Sequence, residues 1–234
     1  MQRTPPFIPA DGRQLMIKSA IFDADGTLLD SMQIWEDAGE KYLRQLGIQP
    51  EADLGKLLYP MSLEESSSYM KEKYSLSETP EEIKAGVLSV IFDFYRYEVQ
   101  LKAGVKEFLK QMKNKNIPMV IATTGDKDLL EAALKRLGIL DCFERIFTCS
   151  EFLTTKRESL IYEKAITYLH IEPEETYVFE DVLNALVSAK KAGCKTIAIE
   201  EETSKEDKEA IIETADMYLT SFIEYEDFWK FAAK

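Results

Sequence analysis

Short apolar runs alternate with amphipathic segments along most of this chain. The apolar runs predict buried strands, and the segments with a helical period predict helices. Strands that alternate with helices imply a parallel sheet with right-handed crossover connections, which is an α/β fold. The predicted strands are Ile17–Phe22, Met119–Ala122, Arg145–Cys149, Tyr177–Phe179, Thr196–Ile199 and Met217–Leu219.

The helices predicted between these strands end at residues suited to that place. Gly138 and Gly193 each follow a helix, and glycine readily adopts the left-handed conformation that ends one. His170 is expected at a helix end, and as the single histidine of the chain it cannot build a histidine metal cluster. The predicted helices are Val105–Asn114, Asp128–Leu137, Ser159–Leu169, Leu183–Ala192 and Lys205–Thr214.

Residues 31–100 follow a different pattern, with helical spacing and no convincing strand. Helices are predicted over 35–46, Leu63–Tyr74 and Pro80–Tyr97, the last with Thr79 as its N-cap. Because this stretch interrupts the strand–helix alternation after the first strand, we interpret it as an inserted all-helical cap domain. The predicted organisation is a flexible leader at 1–15, a Rossmann-like core at 16–31 and 101–234, and a cap at 32–100.

The charge of the chain argues against several kinds of partner. It has 29 basic and 42 acidic residues, a net charge of −13, so nucleic acids and anionic membrane surfaces would be repelled. Residues 1–13 lack an apolar signal core, and no run approaches the roughly 20 apolar residues of a membrane span. The three cysteines are expected to be reduced thiols. We therefore expect a cytoplasmic protein, by default a monomer, that binds a small molecule.

Side chains that can take part in catalysis or bind a metal ion follow four of the predicted strands. They are Asp23 and Asp25, then Thr123, then Lys156 in the loop after the third strand, and Glu180 with Asp181. Ligands of open parallel α/β sheets bind at the carboxyl ends of the strands. The sequence therefore predicts that these side chains converge on one site.

The chemistry of these side chains indicates phosphoryl transfer assisted by a metal ion. Asp23 and Asp25 are two residues apart, so in extended backbone both side chains leave on one face. Crowded carboxylates are costly without a cation, and with Asp181 they form an all-oxygen site suited to Mg²⁺. A carboxylate can attack phosphorus directly. Lys156 and Thr123 could hold the phosphoryl oxygens, while Asp25 could supply the leaving group with a proton.

The same residues carry a resemblance to a known family. The first motif of the haloacid dehalogenase (HAD) superfamily, in its β-phosphoglucomutase-like phosphatase branch, resembles residues 21–31, IFDADGTLLDS. The second motif resembles residues 120–123, VIAT, and the fourth resembles residues 178–181, VFED. Lys156 stands where the lysine of the third motif is expected. The resemblance covers Met16 to Leu219 and implies a Rossmann-like core with a helical cap.

The resemblance also implies a role for each matching residue. Asp23 would be the nucleophile and a metal ligand, and Asp25 would be the acid/base and bind the metal through its backbone carbonyl. Asp181 would bind Mg²⁺, and Glu180 would support the metal through water. The residues implied in binding the phosphorylated substrate are Gly26, Thr27, Thr123, Thr124 and Lys156.

Three core positions depart from the pattern of the family. Arg157 stands where a proline commonly follows the lysine of the third motif. Val182 and Ala185 replace a serine and a glycine of the fourth motif. These changes leave open the alternative that the chain is a non-catalytic HAD-like protein with a binding or regulatory role. The retention of both Asp23 and Asp25 speaks against this alternative.

Two cap positions bear on the kind of reaction. Trp35 and Leu63 stand where the sugar-phosphate mutases of this branch carry a histidine and an arginine. Their loss favours hydrolysis over the alternative of a β-phosphoglucomutase-type phosphomutase. A phospho-accepting receiver domain is disfavoured by the order of the acidic residues and by the long helical insertion. We therefore expect a Mg²⁺-dependent phosphatase that hydrolyses a small phosphorylated metabolite through an aspartyl-phosphate.

Overall fold

The computed structural model describes residues 16–233, so the predicted leader at 1–15 lies outside the described residues. The strands are β1 (Ser19–Phe22), β2 (Leu29–Asp30), β3 (Gln100–Leu101), β4 (Met119–Thr123), β5 (Ile146–Thr148), β6 (Thr176–Glu180), β7 (Lys195–Ile199) and β8 (Met217–Leu219). The helices are α1 (Gln33–Gln45), α2 (Leu54–Leu58), α3 (Leu63–Tyr74), α4 (Pro80–Asp93), α5 (Val105–Asn114), α6 (Lys127–Leu137), α7 (Leu160–Leu169), α8 (Leu183–Lys191), α9 (Lys208–Thr214) and α10 (Tyr225–Ala232).

Six strands form one sheet in the order β5–β4–β1–β6–β7–β8, and every neighbouring pair is parallel. Each predicted strand is present, and the predicted α/β class with a parallel sheet is confirmed. The central strands are buried along their whole length, as expected for a parallel sheet covered by helices on both faces. Their carboxyl ends therefore lie along one edge of the sheet.

Neighbouring residues of β1 contribute to opposite faces of the sheet. Phe22 stacks on Phe179 of β6 with ring centroids 4.4 Å apart, and it also contacts Phe108 of α5. Ile21 belongs to the apolar cluster that includes Ile161 and Ala165 of α7. Because side chains alternate across a strand, one short strand anchors helices on both faces. This packing fixes where β1 ends, and so where Asp23 begins the following loop.

The chain divides into two compact units. One unit comprises Ser31–Val99, and the other comprises the described residues up to Asp30 and from Gln100 onward. In the described part of the first, the regular elements are all helical: α1 to α4 and a π-helical turn, Phe94–Glu98. Thr79 caps α4 as predicted, and Ser62 caps α3 in the same way, each within a reciprocal capping box.

Several elements differ from those predicted. The pattern did not predict α2 or the antiparallel pair β2–β3, because five- and two-residue elements are too short to show a period. The eight-residue α10, after the last predicted strand, was also not predicted. The helix predicted from Lys205 begins at Lys208, after a 3₁₀ segment over Glu202–Asp207. The helix predicted to reach Tyr97 ends at Asp93, where the π-helical turn takes over.

Three smaller predictions concern single residues and the membrane. Cys142, Cys149 and Cys194 are free thiols, as predicted. His170 follows α7 in the left-handed conformation, at the predicted helix end. Among the described residues, the helices are too short or too polar for any of them to cross a bilayer.

Candidate active site

The carboxyl ends of three neighbouring strands carry the predicted site residues. Asp23 follows β1 directly, and its backbone N–H donates to the carbonyl of Phe179 at 2.9 Å, which extends the pairing of β1 with β6. Thr123 is the last residue of β4, and Glu180 is the last residue of β6. Since β4, β1 and β6 are adjacent, these side chains lie at one edge of the sheet.

Lys156 joins two of the carboxylates. Its ammonium group donates hydrogen bonds to Oδ1 of Asp23 and to Oε1 of Glu180, forming an ion pair with each. All three side chains are buried or nearly so, with exposed fractions of 13% for Lys156, 9% for Asp23 and 1% for Glu180. The loop after β5 thus brings the predicted third-motif lysine to the carboxylates that follow β1 and end β6.

Tyr162 on α7 supports Glu180 from the other side. Its hydroxyl donates to Oε1 of Glu180 at 2.8 Å, so that oxygen accepts from both Tyr162 and Lys156. Burial, reinforced by the neighbouring Glu180 charge, raises the pKa of Tyr162 well above its ordinary value. Tyr162 is therefore a neutral donor that holds the Glu180 carboxylate in one orientation.

Asp181 is held by a residue of the first motif. The hydroxyl of Thr27 donates to Oδ1 of Asp181 at 2.8 Å, and both residues are buried. Gly26, next to Thr27, is buried with φ +77°, a left-handed conformation that glycine adopts without strain. The backbone N–H of Gly26 donates to the carbonyl of Leu29, which closes the loop after β1 into a tight turn.

The carboxylates of Asp23, Glu180 and Asp181 fit a divalent cation. One oxygen from each can be chosen so that all three lie within 4.8 Å of one another. Oε2 of Glu180 and Oδ2 of Asp181 are buried and accept no hydrogen bond from the described residues. Buried charged oxygens without partners are costly, and an all-oxygen donor set suits Mg²⁺. One lysine against three carboxylates also leaves negative charge that a cation would neutralise.

The ionisation of the site reflects its burial. Burial raises the pKa of Glu180 to about 7, although the Lys156 ammonium and the Tyr162 hydroxyl act in the opposite direction. Burial, together with the charges of Asp23 and Glu180, raises the pKa of Asp181 well above its usual range. For Lys156 burial would lower the pKa, but the two carboxylates outweigh it and the pKa is raised. The lysine therefore remains charged.

Asp25 faces the loop after β4. A Cβ atom placed on Gly125 would lie 3.1 Å from Oδ2 of Asp25 and 3.3 Å from Oγ1 of Thr123. The backbone N–H of Gly125 donates to Oγ1 of Thr123 at 2.9 Å. The absence of a side chain at Gly125 thus makes room for the Asp25 carboxylate beside Thr123.

The remaining predicted positions are distributed differently around the site. Thr124 is exposed, next to the buried Thr123. Val182 is 41% exposed at the residue before α8, and its side chain cannot cap that helix. Ala185 is buried on α8. The site therefore combines Thr123 with the carboxylate cluster, while Thr124 lies at its exposed margin.

Three residues that contact the site residues were not predicted from the sequence: Tyr162, Gly125 and Lys102. Gly125 comes two residues after Thr123, so its proximity to the second motif was a usable signal. Tyr162 and Lys102 offered no comparable signal, because each reaches its partners through tertiary structure. Lys102 donates from Nζ to the carbonyl of Gly26 at 2.7 Å, across 76 positions of sequence.

Comparison with known proteins identifies the family. A model of haloacid dehalogenase-like hydrolases matches residues 20–199, which include every residue of the carboxylate cluster. The chain belongs to this family. Its predicted membership in the HAD superfamily is therefore confirmed.

Curated relatives of the chain are named as phosphatases. Validoxylamine A 7′-phosphate phosphatase of Streptomyces hygroscopicus subsp. limoneus is 26% identical over 89% of this chain and 96% of its own length. The phosphorylated carbohydrates phosphatase of Thermotoga maritima is 26% identical over 77% of this chain and 84% of its own length. These relatives class the chain among the phosphoric monoester hydrolases, as predicted.

Solved structures confirm the fold. A Thermotoga maritima protein described as a β-phosphoglucomutase superposes with a TM-score of 0.81 and 23% identity, covering 92% of this chain and 99% of that one. The CbbY protein of Rhodobacter sphaeroides, solved in complex with phosphate, gives a TM-score of 0.66 and 23% identity, covering 88% and 95%. At this identity the likeness supports the HAD-type fold and not the reaction.

Proposed function

We propose that this protein is a Mg²⁺-dependent phosphatase that forms an aspartyl-phosphate on Asp23 and hydrolyses small phosphorylated metabolites. The observation that carries the proposal is the buried cluster of Asp23, Glu180 and Asp181 with Lys156 at its side. A nucleophilic carboxylate, a cation site and a lysine that can neutralise phosphoryl oxygens are the parts that such a reaction requires.

In the first step an oxygen of Asp23 attacks the phosphorus of the substrate. The new bond joins that oxygen to phosphorus, and the ester P–O bond breaks with its electron pair on the leaving oxygen. Asp25, protonated at this stage, gives its proton to that oxygen, so the product leaves as an alcohol. Lys156 donates hydrogen bonds next to Asp23, where the phosphoryl oxygens arrive, and offsets the negative charge on them.

In the second step water hydrolyses the aspartyl-phosphate. Asp25 is now a carboxylate and takes a proton from water, whose oxygen attacks phosphorus. The bond between phosphorus and Asp23 breaks, which releases inorganic phosphate and restores the Asp23 carboxylate. Asp25 returns to its protonated form, so one residue serves as acid and then as base.

The cation would be held by Asp23 and Asp181, with Glu180 supporting it and the backbone carbonyl of Asp25 completing the protein ligands. When bound, Mg²⁺ neutralises the carboxylates and stabilises charge on the transferring phosphoryl group. Thr27 orients Asp181 through its hydroxyl, and Tyr162 orients Glu180. Both contacts are hydrogen bonds between the protein's own residues.

The substrate class that we propose is a sugar phosphate or another small phosphate monoester. The names of two relatives support it, since one acts on phosphorylated carbohydrates and another on validoxylamine A 7′-phosphate. Trp35 and Leu63, at positions where mutases carry a histidine and an arginine, favour release of phosphate over its return to a bound sugar. The chain would then transfer the phosphoryl group to water.

Release of phosphate from a panel of sugar phosphates, nucleotides and pyrophosphate tests the proposal. We expect turnover with Mg²⁺ that is lost with EDTA and in Asp23→Asn. Asp141→Asn is a matched control, because Asp141 is exposed and lies outside the cluster; it should keep full activity. Turnover that persists in Asp23→Asn or in EDTA would contradict the mechanism.

A further inference from the structure

Lys102 lies at the carboxyl edge of the sheet without belonging to any of the family motifs. It follows β3, at the point where the chain re-enters the unit that contains the sheet. Its ammonium group donates to the carbonyl of Gly26 at 2.7 Å, to the carbonyl of Glu200 at 2.7 Å and to Oε2 of Glu201 at 2.6 Å. A lysine ammonium has three donors, so these partners satisfy all of them.

The three acceptors belong to two different loops. Gly26 lies in the loop after β1, whereas Glu200 and Glu201 follow β7. In the sheet, β6 lies between β1 and β7. Lys102 therefore ties together the loops on both sides of the end of β6, where Asp181 is located.

The backbone of Lys102 adds a second hydrogen bond to the loop after β1. Its N–H donates to the carbonyl of Leu28 at 2.9 Å. Lys102 thus binds the residue before Thr27 and the residue after it. Thr27 in turn donates its hydroxyl to Asp181 at 2.8 Å. Lys102 is therefore connected to the Asp181 carboxylate in two stages. Its own two hydrogen bonds fix the residues on either side of Thr27, and Thr27 then donates to Asp181.

We propose that Lys102 is a positioning residue for the cation site, acting through Thr27 on Asp181. This inference rests on the proposed function, since it assigns Asp181 the part of a cation ligand. Lys102 touches neither the reacting atoms nor the cation. It fixes the loop after β1, and its ion pair with Glu201 fixes the loop after β7.

Burial makes the arrangement sensitive to the loss of one partner. The exposed fractions are 18% for the side chain of Lys102 and 10% for that of Glu201. Removing the ammonium group would leave a nearly buried carboxylate and two carbonyls without their donor. The loops would then move apart or admit water, and Thr27 would hold Asp181 less well. Mutation of groups that orient metal ligands typically costs ten- to a hundred-fold in metal affinity, about the change expected here.

The test is the affinity for Mg²⁺ of the full chain without substrate, measured by calorimetry, for wild type and Lys102→Met. Methionine has a similar shape and no donor. We expect Lys102→Met to bind Mg²⁺ at least ten-fold more weakly, about the lower end of what such contacts contribute. In assays its requirement for Mg²⁺ should rise, while KM for the substrate at saturating Mg²⁺ should stay unchanged.

Lys71→Met is the matched control. Lys71 also donates from Nζ to two carbonyls, those of Leu76 and Glu78 at 3.1 Å and 2.6 Å, but it lies in the helical unit. Its loss should lower stability without changing Mg²⁺ affinity. Equal Mg²⁺ affinities for wild type and Lys102→Met would overturn the inference. It would also be overturned if Lys71→Met lost as much Mg²⁺ affinity as Lys102→Met.

A second variant covers the case in which Lys102→Met does not fold. Thr27→Val leaves the contacts of Lys102 in place and removes the hydrogen bond from Thr27 to Asp181, through which Lys102 is inferred to act. It should bind Mg²⁺ at least ten-fold more weakly than wild type, and wild-type affinity in Thr27→Val would decide against the inference. Since binding is measured without substrate, a wild-type protein that binds Mg²⁺ but hydrolyses nothing would contradict the proposed function alone.

Discussion

Thr27 donates a hydrogen bond of 2.8 Å from its hydroxyl to Oδ1 of Asp181, a residue 154 positions later in the chain. Both residues are buried. The contact links the loop after β1 to the loop after β6, and so connects the first motif to the fourth. The hydroxyl of Thr27 thus contacts a carboxylate, and the substrate contact that the resemblance implies for this residue stays a prediction.

Thr27→Val tests this contact. Valine matches the shape of threonine but cannot donate, so Oδ1 of Asp181 loses its partner in a buried position. We expect the Mg²⁺ concentration for half-maximal activity to rise about ten- to a hundred-fold. Thr27→Ser keeps the hydroxyl and should stay close to wild type. Equal Mg²⁺ requirements for Thr27→Val and wild type would show that Asp181 needs no such support.

Tyr162→Phe removes the second donor to Glu180. Oε1 of Glu180 would keep Lys156 and lose the 2.8 Å bond from Tyr162. We expect kcat/KM to fall about ten-fold and the free energy of unfolding to fall by about 1 kcal/mol. Tyr177→Phe is the control, because Tyr177 is equally buried on β6 but outside the cluster. If Tyr162→Phe were as active as Tyr177→Phe, the hydroxyl of Tyr162 would not be needed for activity.

Gly125→Ala tests the space beside Asp25. The added methyl would lie 3.1 Å from Oδ2 of Asp25 and 3.3 Å from Oγ1 of Thr123, closer than ordinary contacts. Asp25 or the loop must shift, and a small misplacement of an acid/base group costs about a hundred-fold in rate. We expect kcat to fall by about ten- to a hundred-fold with an unchanged unfolding midpoint.

Asp126→Ala separates a site effect of Gly125→Ala from local damage to the loop. Asp126 is the N-cap of α6, and its Oδ1 accepts from the N–H of Leu129 at 3.0 Å. Its loss should lower stability by about 1 kcal/mol and leave kcat close to wild type. If both variants lowered kcat equally, the effect would belong to the loop as a whole.

The raised pKa values of Cys194 and Tyr177 predict that the protein loses stability at alkaline pH. Burial raises the pKa of Cys194 from 9.0 to about 12 and that of Tyr177 from 10.0 to about 12. Each group stays protonated in the folded chain while it ionises in the unfolded chain, so stability present below pH 9 is lost between about pH 9 and 12. Urea denaturation at pH 8 and pH 10.5 measures the difference.

Cys194→Ala isolates the contribution of the thiol. Alanine cannot ionise in either state, so the fall in the free energy of unfolding between pH 8 and pH 10.5 should shrink by about 2 kcal/mol. Cys142→Ala is the comparison, because Cys142 is less buried than Cys194. An unchanged pH dependence in Cys194→Ala would show that the thiol is accessible to water in the folded protein.

Most of the sheet and many helix bounds were predictable from the sequence, because the signals are local. Leu63–Tyr74 and Val105–Asn114 match the helices of the structure residue for residue, since apolar periodicity and end signals agree there. The helix α10 was missed although Phe228 packs between Phe108 and Phe179. Its two buried residues, Phe228 and Ala232, are four positions apart, so the apolar repeat of this eight-residue helix covers only one turn.

The candidate site was predictable to the extent that its residues follow strands. Asp23, Thr123, Glu180 and Asp181 come at or directly after strand ends, and parallel strands bring their carboxyl ends together. The supporting hydrogen bonds of Tyr162 and Lys102 were not predictable, because nothing in the sequence sets which side chain of a helix or loop reaches a given carboxylate. Their partners lie 18, 76 and 98 positions away.

The most direct test of the central claim uses Asp25→Asn with p-nitrophenyl phosphate. Nitrophenolate leaves without a proton, so Asp23 should still be phosphorylated, but no base remains to activate water. Rapid mixing with Mg²⁺ should then release one nitrophenolate per protein in a burst, followed by slow turnover. Reduction of the quenched protein with borohydride should convert Asp23 alone to homoserine, as detected by mass spectrometry. Nitrophenolate released without a burst, and an unmodified Asp23, would contradict an aspartyl-phosphate on this residue.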